Sequence, residues 1–199
     1  MVSAQIKSRK RVSDFGEVFT DDKEVEVMLD LVSEKSYQIE TTFLEPSCGN
    51  GNFLIAILKR KLNTIIDKYS DDKFLFEVQS LVAVSSIYGI DIQKDNIEES
   101  RKRLLCTLIN IVDNVFKEQP SQGFLKGIKF VLKRNLICGD FLTYKLDNGN
   151  PLILTEWDLT ESYYFRRKDF LLEQILSRET KNVQTKYTYY NWMISSNLQ

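Results

Sequence analysis

A predicted strand that runs through a glycine-containing turn into a helix constrains the fold of this chain more than any other feature. Residues 42–45 favour a short strand, a turn with Pro46, Gly49 and Gly51 follows, and an amphipathic helix is predicted over about 52–62. Glycines let the backbone bend sharply and approach a ligand closely, while the start of the helix offers free N–H groups. The segment predicts a nucleotide-type or cofactor-type loop, although several unrelated folds use such a turn.

The remaining predicted elements alternate between helices and strands. Helices are expected over 20–32, 74–84, 96–115, 124–132 and 168–177, and strands over 86–92, 135–138 and 152–154. This alternation predicts an α/β fold with a doubly wound, mostly parallel sheet that binds ligands at the carboxyl ends of its strands. The length of the chain suits one domain. This domain would consist of an arm over 1–20, a core over 21–158 and a C-terminal helix with an aromatic tail over 159–199.

Composition excludes several classes of site. The chain has three cysteines without a CxxC pair and no histidine, so we expect reduced thiols, no metal and no histidine-dependent hydrolase. No apolar run approaches the length of a membrane span and no signal peptide is evident, so a cytoplasmic location without membrane contact is expected. The net charge of −1 weakens the case for a self-sufficient DNA binder. Short basic clusters at 7–11 and 166–168 could contact phosphate or simply face solvent.

A second motif refines the prediction for the glycine-containing turn. Tyr88-Gly89-Ile90-Asp91-Ile92 places a carboxylate at the end of the next strand, where it could accept hydrogen bonds from both ribose hydroxyls or merely cap the following helix. The interval from Gly51 to Asp91 exceeds the ~20 residues of a dinucleotide fingerprint, and the lysine of a phosphate loop is missing. Readings as a dinucleotide or nucleoside triphosphate site are therefore disfavoured.

With these two motifs in place, the chain resembles the gamma-class amino-methyltransferases of restriction-modification systems, which methylate the exocyclic amine of adenine in DNA. Residues 15–20, Phe-Gly-Glu-Val-Phe-Thr, resemble the N-terminal motif of that family. Residues 45–53 resemble its first motif, 88–92 its second, and 138–141, Cys-Gly-Asp-Phe, its third. The resemblance covers about two thirds of the chain and implies a Rossmann-like fold with S-adenosyl-L-methionine as cofactor.

The resemblance also implies roles for individual residues. Thr20 would bind the methionine carboxylate of the cofactor, Glu45 would lie near its amine, and Asp91 would hold the ribose. Ile92, Asp140 and Phe141 would surround the adenine. The complete set of implied cofactor-binding residues is Phe19, Thr20, Glu45, Pro46, Ser47, Gly49, Gly51, Phe53, Asp91, Ile92, Asp140 and Phe141. Where the family usually has proline after the threonine, this chain has Asp21, which predicts a less rigid loop.

The catalytic motif of the family, Asn/Asp-Pro-Pro-Tyr/Phe/Trp, is missing, since no two of the three prolines are adjacent. Asn150-Pro151 precedes the predicted strand 152–154 and favours a hairpin or loop. Glu156, Trp157 and Asp158 follow that strand and are the candidates for catalysis, because a carboxylate could accept from the target amine and the indole could stack on a base. Packing of Trp157 on the core is the alternative.

Three hypotheses follow from these observations. The first is a DNA adenine-N6 methyltransferase subunit that relies on a partner protein for DNA recognition. The second is a regulatory or scaffold subunit that binds S-adenosyl-L-methionine without transferring the methyl group. The third is a methyltransferase acting on small molecules or proteins, which would not normally carry the arm of residues 15–20. The oligomeric state and the role of the aromatic tail stay open.

Overall fold

The computed structural model of the protein describes residues 6–177 and 187–193. These residues form α-helices and short strands, and the strands make up one parallel sheet and one antiparallel sheet. In chain order the elements are α1 (Arg9–Phe15), α2 (Asp22–Asp30), α3 (Ser33–Ser36), β1 (Phe43–Glu45), α4 (Asn52–Tyr69), α5 (Lys73–Ser85), β2 (Ile87–Asp91), α6 (Lys94–Phe116), α7 (Gln122–Asn135), β3 (Leu136–Cys138), β4 (Ile153–Leu159), β5 (Phe165–Leu171), α8 (Leu172–Ser177) and β6 (Thr188–Tyr190).

The parallel sheet has the order β1-β2-β3, with Leu44 opposite Tyr88 and Ile90 opposite Ile137. Every residue of the central strand β2 is buried, as expected for a parallel strand covered on both faces. Helices α4 and α6 both contact β2. The chain is therefore a mixed α/β protein with a three-stranded parallel sheet, and the predicted strands and helices of this part are confirmed.

Local sequence explains where several helices begin. The side chain of Asp72 accepts a hydrogen bond from the Leu75 N–H at the start of α5, at 3.0 Å, and Ser121 caps α7 through the Phe124 N–H at 3.2 Å. Helix α4 begins after Gly51, whose φ of 87° lies in the left-handed region. The glycine therefore allows the chain to turn directly from β1 into α4.

Two predicted elements near the C-terminal end of the core are wrong. The strand predicted over 152–154 is longer and does not join the parallel sheet, and the helix predicted to start at residue 168 is shorter because residues 168–171 form a strand. Strand β4 runs through Leu159 and pairs antiparallel with β5, and β5 continues to Leu171 before the short helix α8 begins. Pairing over seven opposed residue pairs, from Ile153↔Leu171 to Leu159↔Phe165, stabilises this hairpin. The strand therefore belongs to a separate sheet, with the order β4-β5-β6.

The loop prediction for Asn150-Pro151 is confirmed. The side chain of Asn148 accepts from the Asn150 N–H at 3.1 Å, and Gly149 has a φ of 80°. Pro151 forms an isolated antiparallel bridge with Lys145 just before β4.

An aromatic cluster attaches the antiparallel sheet to helix α7. It consists of Phe130, Trp157, Phe165, Tyr190 and Trp192. The rings of Tyr190 and Trp192 stack with centroids 4.7 Å apart, and the Trp157 indole N–H donates to Asn135 Oδ1 at 2.9 Å. Tyr190, Trp192 and Met193 of the predicted aromatic tail thus join the core, whereas Tyr187 and Tyr189 are exposed. Residues 178–186 and 194–199 lie outside the described residues.

None of the described helices combines the length and the apolar character needed to cross a membrane.

Candidate functional site

A cleft of about 170 Å³ opens at the carboxyl ends of β1 and β2. In doubly wound α/β proteins, ligands bind at this end of the parallel strands. The cleft is lined by residues 15–20, 45, 47–50, 52, 53 and 91–93. Segments far apart in sequence, namely the N-terminal arm, the turn after β1 and the end of β2, therefore meet around one cavity.

The turn after β1 is held in place by backbone hydrogen bonds. The Cys48 N–H donates to the Ile90 carbonyl and the Gly51 N–H donates to the Cys48 carbonyl, both at 2.9 Å. Gly49 has a φ of 52°, and a Cβ added there would lie 3.0 Å from the Phe19 ring. Glycine at this position thus satisfies both the backbone conformation and the close approach of the arm.

Asp91 links the two predicted motifs. Its Oδ2 accepts from the Gly49 N–H at 2.8 Å, and its Oδ1 accepts from the Gln93 N–H at 2.7 Å and from the Asn96 side-chain amide at 3.2 Å. The residue is only 7% exposed, yet it lines the cleft. Gln93 is the N-cap residue of α6. The carboxylate therefore stabilises the start of that helix and holds the glycine turn, and it faces the cavity where a ligand would lie.

Ion pairs hold the N-terminal arm against α6. Arg11 pairs with Glu17 at 2.6 Å and with Asp95 at 2.5 Å, and Lys7 pairs with Asp95 at 3.0 Å and with Glu99 at 2.9 Å. The hydrogen bond from Arg11, together with Lys7, holds the pKa of Asp95 well below its ordinary value. Lys7 and Arg11 of the basic cluster at 7–11 thus bind carboxylates of the same chain, and the sequence pattern did not identify these partners.

The interior of the cleft is acidic. Glu17, Glu45 and Asp91 line it, and none of the described lining residues is a lysine or an arginine. Burial raises the pKa of the Glu45 carboxyl, which a hydrogen bond from the Ser47 backbone partly offsets. Burial also raises the pKa of the Cys48 thiol, so this cysteine stays protonated and unreactive. Such surroundings favour a cationic ligand over a polyphosphate.

Eight of the twelve predicted cofactor residues line the cleft: Phe19, Thr20, Glu45, Ser47, Gly49, Phe53, Asp91 and Ile92. The other four do not. Pro46 is exposed, and Gly51 is buried, where an added Cβ would lie 2.8 Å from the Ser100 hydroxyl oxygen. Asp140 accepts from the Leu142 N–H at 2.8 Å and from the Thr143 hydroxyl at 3.0 Å within its own turn. Phe141 packs edge-on against Tyr144.

The three candidate catalytic residues lie in β4, outside the set that lines the cleft. Trp157 belongs to the aromatic cluster, as the packing alternative expected. The side chain of Asp158 forms an ion pair with Arg166 at 2.7 Å. Glu156 is exposed opposite Lys168. The structure thus does not bring these residues to the cleft.

Polar residues beside the motifs contribute contacts that the sequence did not reveal. The amide of Asn96 bridges Glu17 and Asp91, at 2.9 Å and 3.2 Å. The side chain of Asn52 donates to the Thr20 carbonyl at 2.8 Å and so fixes the end of the arm. Arg103 donates to the Asn52 side chain at 2.8 Å. The only signal in the sequence was that Asn52 and Asn96 lie close to the glycine turn and to Asp91.

In the described part of the chain, no group of three or more histidine, cysteine or acidic residues is arranged to hold a metal ion. Searches with models of known protein families, against curated proteins and against solved structures find no match to this chain.

Proposed function

We propose that this chain binds S-adenosyl-L-methionine in the cleft at the ends of β1 and β2, as part of a doubly wound, Rossmann-like DNA adenine-N6 methyltransferase. The observation that carries the proposal is the hydrogen bond between Asp91 and the Gly49 N–H, which joins two motifs 42 residues apart in one cavity. The acidic lining supports a ligand that carries positive charge. It also disfavours phosphate-bearing ligands, whose sites normally offer a lysine or an arginine.

Under this proposal each part of the cleft has a task. Asp91 would accept from the ribose hydroxyls, Glu45 would lie near the methionine amine, and the turn around Gly49 would let the backbone approach the ligand. Phe19 and Thr20, held in place by Asn52 and by the ion pairs of the arm, would close over the methionine end. The bound cofactor would supply an electrophilic methyl group, and the protein residues would orient it and shield it from water.

Calorimetry on the purified chain tests cofactor binding. We expect micromolar affinity for S-adenosyl-L-methionine, and Asp91→Asn should weaken it by about 10- to 100-fold, or ~1.5 to 3 kcal/mol, because a charged acceptor is lost. The matched control is Asp113→Asn, the same chemical change at an exposed position of α6, which should leave the affinity unchanged. If the wild-type chain binds neither S-adenosyl-L-methionine nor S-adenosylhomocysteine at millimolar concentration, the proposal fails.

The second candidate function is a cofactor-binding regulatory or scaffold subunit without transfer activity. It is favoured by the missing Asn-Pro-Pro motif and by the position of Glu156, Trp157 and Asp158 outside the cleft. Assays with tritiated methyl donor on DNA, RNA and protein separate the two functions. We expect little DNA methylation by the chain alone, because an acidic chain gains little binding energy to offset base flipping, and we expect activity only with a DNA-recognising partner.

If the chain alone transfers a methyl group to adenine, Glu156 and Asp158 of β4 become candidates for catalysis again. In that case Glu156→Ala and Asp158→Ala, tested one at a time, should abolish transfer while leaving cofactor affinity nearly unchanged. If both variants remain fully active, these residues serve only the hairpin.

A further inference from the structure

Positive charge is unevenly distributed among the described helices. Helix α7 carries four basic residues, Lys126, Lys129, Lys133 and Arg134, and among the described helices it alone has no acidic residue. All four basic residues are exposed. In a chain whose formal net charge is −1, positive charge is therefore concentrated on one helix.

Three of these cations form a line along the exposed face of α7. Lys126, Lys129 and Lys133 are spaced at i, i+3 and i+7, which places them on one face over about 10 Å of the helix axis. The opposite face is apolar and lies in the core, where Phe124 and Ile128 have no exposed surface. The three lysines are called the basic stripe below.

Within the described part of the chain, no internal partner accounts for the basic stripe. None of its three ammonium groups forms an ion pair or a hydrogen bond with a described residue. Like charges at i, i+3 and i, i+4 repel one another and destabilise a helix, although the helix dipole favours Lys133 in the last turn. Arg134 is not counted in the stripe, because its guanidinium lies over the Phe130 ring at 5.6 Å from the centroid. Anions outside the chain would relieve the repulsion among the lysines.

The basic clusters at 7–11 and 166–168 differ from the stripe, because much of their charge is neutralised within the chain. Lys7 and Arg11 pair with carboxylates of the arm and of α6. Arg166 and Arg167 pair with carboxylates of β4 and β5. The cations that are free to meet an external polyanion therefore lie on α7 rather than in those clusters.

We propose that the basic stripe of α7 binds the phosphate backbone of duplex DNA without reading its sequence. Lysine binds phosphate as a point charge, and about 10 Å of helix axis matches the rise of about three base pairs, so each lysine can reach its own phosphate. Helix α7 leads directly into the amino end of β3, whereas the cleft lies at the carboxyl ends of β1 and β2. The inference goes beyond the proposed function, which leaves DNA recognition to a partner, and it does not depend on cofactor binding.

An anionic membrane is the other polyanion that a basic helix can contact. Helices that bind at a membrane surface bury an apolar face in the lipid. The apolar face of α7 is instead occupied by the core, where Ile128 and Val131 have no exposed surface. Only an electrostatic contact is left to this helix, which suits the closely spaced phosphates of DNA.

Fluorescence anisotropy with an end-labelled DNA duplex of arbitrary sequence tests the proposal, without added cofactor. We expect a Kd below ~100 µM at 0.05 M salt. Because three phosphates would be neutralised, the logarithm of the association constant should fall with the logarithm of the salt concentration at a slope of about −3.

Variants of the stripe locate the contact. The triple variant Lys126→Gln, Lys129→Gln and Lys133→Gln should weaken binding at least tenfold and bring the salt slope close to zero. Lys129→Gln alone should reduce the magnitude of the slope by about one.

The matched control removes the same total charge from exposed positions of α2, α3 and α4, by Lys23→Gln, Lys35→Gln and Lys68→Gln. Because it changes the net charge equally, it separates a local contact from a general effect of charge. Its affinity for DNA should stay within threefold of the wild-type value, with the same salt slope. Circular dichroism of both triple variants confirms that each is folded.

A wild-type chain that does not bind the duplex at ~100 µM would overturn the proposal, and so would a stripe variant that binds as tightly as the wild type. Binding to vesicles of phosphatidylcholine and phosphatidylserine but not to DNA would also overturn it, because the stripe would then be a membrane contact. Calorimetry with S-adenosyl-L-methionine distinguishes the two proposals. Loss of cofactor binding by the wild type refutes the proposed function, whereas the DNA measurement tests only the basic stripe.

Discussion

The fully buried lysine of α4 allows a quantitative test of the energetics of this fold. Lys61 has no exposed surface, and its Nζ donates to the Ile39 carbonyl at 2.9 Å, the Thr41 carbonyl at 2.5 Å and the Ser86 hydroxyl at 2.6 Å. These contacts tie α4 to the segment that enters β1 and to the end of α5. Burial lowers the pKa of Lys61 to about 7 from its ordinary 10.5, although Glu40 acts in the opposite direction.

The sign of the pH dependence follows from this shift. Between about pH 7 and 10.5 the unfolded chain holds a proton on Lys61 that the folded chain has lost, so the free energy of unfolding rises with pH through that window. Below pH 7 the amine is charged in both states, and the cost of burying the charge is fully present. A pKa shift of this size corresponds to a total change in the free energy of unfolding on the order of 5 kcal/mol. Of this change, ~3 kcal/mol should appear between pH 7 and 9.5.

The perturbation is Lys61→Met, which preserves the length of the side chain and removes its titration. Urea unfolding followed by circular dichroism at half-unit steps from pH 6 to 9.5 gives the free energy of unfolding of both proteins. Across that range, the free energy of unfolding of the wild-type protein should rise by ~3 kcal/mol relative to that of the variant. Tyrosines and cysteines that titrate at high pH are common to both proteins, so their contributions cancel in the difference.

A constant difference between the two proteins would refute this reasoning. It would mean that Lys61 keeps its proton throughout, because its three acceptors stabilise the ammonium more than burial destabilises it. In that case Lys61→Met should be less stable at every pH by roughly 2 to 4 kcal/mol, since the Thr41 carbonyl and its neighbours lose a donor.

Three further predictions concern other parts of the fold. Gly89→Ala should cost about 1 to 3 kcal/mol of stability in urea unfolding, because the added Cβ would lie 2.8 Å from Leu54. Asn135→Ala should lower the free energy of unfolding by ~2 to 4 kcal/mol, because Asn135 makes three hydrogen bonds. Trp157→Phe removes only one of these bonds and should lower it by less. Equal losses of stability in urea unfolding would contradict this reasoning. Because the pKa of Asp95 is lowered in the folded state, the stability that its ion pairs contribute should be lost progressively as pH falls below its ordinary 3.8. Protection factors for amide hydrogen exchange in α1, which correct for the slower intrinsic exchange in acid, should therefore fall there, while those in α5 should not.

The parallel sheet was predictable from sequence because its signals are local. A short apolar run between turn residues marks each of its strands, and helical periodicity marks the segments between them. The ends of the helices were less accurate. Helix α4 continues to Tyr69, beyond the predicted end at residue 62, because no glycine or proline stops it earlier.

The hairpin and the arm depend on contacts that are distant in sequence. Residues 168–177 resemble a helix by the spacing of Phe170, Leu171 and Ile175, yet pairing with β4 makes residues 165–171 a strand. Local propensity yields here to cross-strand packing. Similarly, no pattern within residues 7–17 indicates that Lys7 and Arg11 pair with Asp95 on α6.

The two tryptophans of the chain occupy the same aromatic cluster, with ring centroids 6.0 Å apart. Intrinsic fluorescence of this protein therefore reports on a single region, the contact between the antiparallel sheet and α7. Far-ultraviolet circular dichroism instead follows all the helices. If both signals change at the same urea concentration, the hairpin and the parallel sheet unfold together. If fluorescence changes first, the region of β4, β5 and β6 can detach while the cleft at the ends of β1 and β2 remains intact.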